Sequence, residues 1–87
     1  MNNTPLGQDE ALGVEKFSAS DLIALRNDLL QSGVDSFQAA EMVASFLSGR
    51  GYGVSSHEAR VAASAIEVAG VTPEHIQKQL ERVARVM

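Results

Sequence analysis

The stretch Ala69-Gly70-Val71-Thr72-Pro73-Glu74-His75-Ile76, AGVTPEHI, reads as the end of one helix and the start of the next. Gly70 suits the left-handed residue that stops a helix, and Val71 after it can pack back on the helix just ended. Thr72 supplies an oxygen to an unpaired N–H of the new first turn. Pro73 occupies the first helical position, where a missing N–H costs nothing. Val71 and Ile76, five residues apart, flank the cap as a hydrophobic staple.

The same grammar recurs at three other places. Phe17-Ser18 precedes Leu22, Val34-Asp35 precedes Ala39, and Val54-Ser55 precedes Ala59. Ser55-x-x-Glu58 has the form of a full capping box, and Asp35-x-x-Gln38 is a close variant. Gly33 before Val34 mirrors Gly70, and Gly49-Arg50-Gly51-Tyr52-Gly53 interrupts the pattern between the two halves. These signals predict an all-α fold of four short helices, at about 17–32, 35–48, 55–69 and 72–86. Apolar residues inside those limits recur at helical spacing: Leu22, Leu25, Leu29; Phe37, Ala40, Val43, Ala44, Leu47; Ala62, Ala65, Ile66, Ala69; Ile76, Leu80, Val83, Met87. A shift of 37 residues lays Ser18 on Ser55, Gly33-Val34 on Gly70-Val71 and Asp35 on Thr72. The expectation is a small bundle of two helical hairpins joined by the glycine loop. Residues 1–16 show no apolar period and read as a disordered, mobile tail, leaving 17–87 as the four-helix domain.

Composition sets the limits. Leu, Ile, Val and Phe supply 23 of 87 residues, enough for a core, but there is no Trp and there are only three Phe and one Tyr. Such a core is aliphatic and Ala-rich, which suits closely packed helices. A chain this short buries only about 60–65% of its unfolded surface, so its stability margin is small. The absence of Cys removes disulfides, thiol nucleophiles and Cys-ligated metals, and only His57 and His75, on separate predicted helices, remain as nitrogen ligands. No apolar run approaches the 18–20 residues that cross a bilayer, and the first residues lack a basic-then-apolar leader, so no membrane association and a cytoplasmic location are expected. The net charge of −4 weighs against nucleic acid as partner, since phosphate contacts come from clustered Lys and Arg.

One segment, GVDSFQAAEMVASFL, resembles the part of acyl and peptidyl carrier proteins that bears phosphopantetheine. Asp35, Ser36, Phe37, Glu41, Met42 and Val43 fall on that pattern. The resemblance implies Ser36 as the attachment site of 4'-phosphopantetheine, at a helix N-terminus where backbone N–H groups favour a phosphodiester. It covers about fifteen residues. Helix capping accounts for Asp35-Ser36 equally, because Gly70-Val71-Thr72-Pro73 builds the equivalent turn with no serine. No cofactor is expected under that reading.

Two further readings concern partners. The third and fourth helices flank a short turn, and the fourth offers Gln77, Lys78, Gln79, Arg82 and Arg85 for base edges and phosphates, as in a helix-turn-helix regulator of DNA. Glu74 before Lys78 and Glu81 before Arg85 would instead make those cations members of ordinary helix ion pairs. The glycine loop displays Arg50 and Tyr52, residue types enriched at binding hot spots, and predicts a recognition loop. The small side chains of VAASAIEVA suit either core packing or the face of a second copy, a possible homodimer. The function that these features favour is a small non-enzymatic protein-interaction module, docking a helical face and the Arg50/Tyr52 loop on another protein.

Overall fold

The computed structural model describes residues 14–31 and 35–86. Among these residues lie four helices, α1 (Ala19–Gln31), α2 (Ser36–Ser48), α3 (Ser56–Ile66) and α4 (Pro73–Val83). A short ribbon joins them: β1 (Tyr52–Gly53) pairs antiparallel with β2 (Arg85–Val86), placing Tyr52 opposite Val86 and Gly53 opposite Arg85. The chain is therefore mostly helical, as expected. No described helix is long and apolar enough to cross a membrane.

All four helices begin at the capping residue that the sequence provides. Ser18 Oγ accepts from Asp21 N at 3.1 Å, Asp35 Oδ1 from Gln38 N at 2.9 Å, Ser55 Oγ from Glu58 N at 3.1 Å and Thr72 Oγ1 from His75 N at 3.2 Å. Each such bond contributes about 1 kcal/mol to the helix it opens. Helix ends depart further from expectation. α3 stops at Ile66 rather than 69, because the Arg26 guanidinium, on α1, takes the carbonyls of Ile66 and Val68, each at 3.0 Å. Gly70 does adopt the left-handed region, at φ +77°, but it redirects the chain into the Thr72 cap instead of directly closing a helix. α4 stops at Val83 rather than 86, since Ala84 is extended and Arg85–Val86 leave to pair with β1.

The predicted Gly33-Val34 turn and the first thirteen residues of the expected tail lie outside the described residues. Its last three residues do not hang free: Val14 packs on the core and the backbone of Glu15 is hydrogen-bonded on both sides.

The helices neighbour one another in a ring, α1 on α2, α2 on α3, α3 on α4 and α4 back on α1. Hairpin partners touch as expected, yet the most extensive seam runs between hairpins, from α2 to α3. Ala39, Ala40, Val43 and Leu47 of α2 and Ala59, Ala62, Ala63 and Ile66 of α3 are buried there and in the adjoining core. Of the VAASAIEVA alanines expected to serve either the core or a second copy, Ala62 and Ala63 belong to the core and Ala65 is half-buried. Leu22, Leu25, Leu29, Ile76, Leu80 and Val83 complete it, with Phe17 and Tyr52 closing one end. Phe37 corrects the expected core: it is 68% exposed, on the flank of α2 beside the Ala40, Val43 and Leu47 stripe, with the Arg60 guanidinium 5.0 Å from its ring. Ala69 is exposed as well, having fallen beyond the end of α3.

Candidate functional site

The glycine loop is where structure and expectation differ most. Gly51 takes φ +92°, a conformation costly for any side-chain-bearing residue, and the chain turns there from α2 into β1. That turn sends Tyr52 inward. It is 7% exposed, its ring meets Phe17 edge-on at 6.0 Å, and its hydroxyl oxygen accepts from Glu15 N at 2.8 Å. Tyr52 is therefore a core residue and not a displayed anchor, and pairing with β2 holds the loop in place.

Arg50 stays at the surface but is fixed in place. Its guanidinium lies over the Phe46 ring at 3.7 Å, donates Nη1 to the Phe46 carbonyl at 2.9 Å and reaches Asp21 Oδ2 from Nη2 at 3.3 Å. Phe46 in turn meets Phe17 edge-on at 5.2 Å. A planar cation on an aromatic face adds about 0.5–2 kcal/mol, according to how far it is desolvated.

Of the five residues offered for DNA contact, Gln77 and Arg85 do not lie on the exposed face of α4. Gln77 is 8% exposed and forms an amide clasp on the strap before α1: its Oε1 accepts from Phe17 N at 3.0 Å, and its Nε2 donates to the Glu15 carbonyl at 2.9 Å and to Glu81 at 2.8 Å. It cannot read a base edge without abandoning those partners. Arg85 sits in β2 and meets Glu58 of α3 at 3.3 Å, not Glu81 as the helical spacing suggested. Lys78 and Arg82 remain exposed on α4. Ser36 is exposed as the first residue of α2, on a shallow cavity of about 140 Å³ shared with Arg60, Ser64 and Glu67; Asp35 does the capping.

Among the described residues, an open concavity lies along the α1–α2 seam. Asp21, Ala24, Leu25 and Asp28 of α1 face Gln38, Glu41, Met42 and Ser45 of α2 across a groove of about 660 Å³, which Phe46 and Arg50 close at one end. Each helix contributes residues at i, i+3, i+4 and i+7, a single stripe about 10 Å long at ~1.5 Å per residue. Asp21, in the first turn of α1, pairs with Arg50 beyond the end of α2, so the two helices run antiparallel and Asp28 lies toward the end marked by Gln38 and Glu41. The floor is apolar, from Ala24, Leu25, Met42 and Phe46. The rim carries three carboxylates against one guanidinium.

No protein-family model matches this chain, and no curated protein or solved structure is significantly similar to it. Arg50 was the one groove residue that sequence reasoning named as a partner contact. Asp21 and Asp28 were missed in that role because the α1 pattern was assigned wholly to Leu22, Leu25 and Leu29, and Met42 and Phe46 because the α2 pattern was assigned to Phe37, Ala40, Val43, Ala44 and Leu47. A second stripe at 21, 24, 25 and 28, offset from the first, was the available signal.

Proposed function

We propose that this chain is a small, non-enzymatic protein-interaction module whose docking surface is the α1–α2 groove, with Arg50 as its fixed end. The observation that carries the reading is the pair of facing helical stripes around an apolar floor. That is the shape an amphipathic helix fills when it docks in a groove, with anchors at i, i+3 or i+4, and i+7. Met42 suits such a floor because its unbranched thioether adapts to the side chains that enter. Arg50, held by Phe46 and Asp21, has already lost the side-chain freedom that binding would otherwise remove, so it can offer its remaining donors at low entropic cost.

Site-specific photo-crosslinking in the cells that make the protein tests this. A photoreactive residue at Ser45, inside the groove, is expected to give a discrete polypeptide adduct. The same residue at Asn27, exposed on α1 and outside the groove lining, should give none. Equal adducts from both positions, or none from either, would remove the groove from consideration.

A further inference from the structure

The polarity of the groove identifies its occupant more closely, on the assumption that the docking reading holds. We infer that the occupant is an amphipathic helix of a separate, basic partner protein: an apolar stripe of about two turns flanked by Lys or Arg on both sides. Three observations lead there. Carboxylates stand on both banks, Asp21 and Asp28 on α1 and Glu41 on α2; Asp21 already pairs with Arg50, and guest flanks that are neutral or acidic would desolvate or repel the carboxylates beyond it on both edges. Asp28 and Glu41 lie toward the end opposite Arg50, which places the greatest demand for positive charge at that end of the guest helix. The stripes span about 10 Å, which matches a guest presenting apolar residues at i, i+3 or i+4, and i+7 and no more.

Other occupants fail on sign. The chain's own first thirteen residues contain Asp9 and Glu10 and no Lys or Arg. A second copy carries a net charge of −4, and the helix on which it exposes Lys78 and Arg82 already buries its apolar residues Ile76, Leu80 and Val83 in the core.

The test is a selection from displayed helical peptides of about 15 residues, with the apolar stripe fixed and the flanking positions randomised, against the full-length chain. Enriched peptides should carry two or more Lys or Arg at the flanks and shift the backbone amides of Ala24 and Ser45. Their affinity should fall about tenfold or more on the Asp28→Lys/Glu41→Lys double variant, and peptides with Glu flanks should regain it on that variant, which also shows that the variant folds. Neutral or acidic flanks enriched with shifts still in the groove would overturn the charge assignment and leave the docking reading standing. No enrichment, or shifts confined to other faces, would overturn both.

Discussion

The two sides of α2 show opposite solutions to packing one helix against another. Toward α3 the contact is built from Ala39 and Ala40 against Ala59, Ala62 and Ala63, small side chains that let the backbones approach closely and leave only shallow cavities of about 140 Å³ along the seam. Toward α1 the same helix presents Met42 and Phe46, with the Arg50 guanidinium just beyond its end, and a groove of about 660 Å³ stays open. Side-chain size on two faces of one helix thus separates the part of the molecule that holds the fold from the part available to a partner.

The sharpest way to break that division is to damage the closed side. Ile66 is fully buried at the end of α3, and Ile66→Ala removes transferred methyl groups and leaves a cavity in a core too small to collapse around it. A loss of about 2–5 kcal/mol is expected, a large share of what so short a chain can hold, read as a shift in urea midpoint. A loss below about 1 kcal/mol would mean that the α2–α3 seam is not the principal core.

Adding volume compares the two seams directly. Ala62→Leu inserts a branched side chain into the alanine contact and should cost about 1–3 kcal/mol. Ala24→Leu, on the exposed wall of the groove, should change stability by no more than about 0.5 kcal/mol while obstructing whatever docks there. Equal destabilisation by the two variants would show that the groove is closed in solution.

How much of this was legible in the sequence follows from how local each signal is. The caps at Ser18, Asp35, Ser55 and Thr72 bond to N–H groups three residues away, so the residues that create them are adjacent in the sequence. Helix ends were less legible because their causes lie elsewhere: Arg26 ends α3 from 40 residues away, and β1 draws the chain out of α4. The burial of Gln77 and Tyr52 depends on the strap at Glu15–Phe17, which has no apolar period to announce it. The groove was hidden for a related reason, since a stripe of Asp and Ala reads as a solvated face until a second helix stands opposite it.

The Gln77 clasp gives a prediction of intermediate size. Gln77→Met keeps the length and apolar stem of the side chain but leaves Phe17 N and the Glu15 carbonyl without their partner. A cost of about 1–2 kcal/mol is expected, less than the Ile66 cavity, because two of the three bonds lost are only partly buried. Hydrogen exchange at the Phe17 amide should accelerate markedly. Unchanged exchange there would return Gln77 to the role of a displaced surface residue.

The smallest effect is expected at Arg85. Its pairing with Glu58 links β2 to the first turn of α3 at 3.3 Å, but the arginine side chain is 70% exposed, and an ion pair in that setting is screened by salt and opposed by side-chain entropy. Arg85→Ala should therefore cost about 0.5 kcal/mol or less, with no dependence on salt above about 0.5 M. The ribbon itself rests on the backbone pairing of Tyr52 with Val86 and of Gly53 with Arg85, which the substitution leaves intact. A loss above about 1 kcal/mol, measured with the same urea midpoint, would mean that the Glu58 contact, and not the backbone pairing, holds the end of the chain against α3.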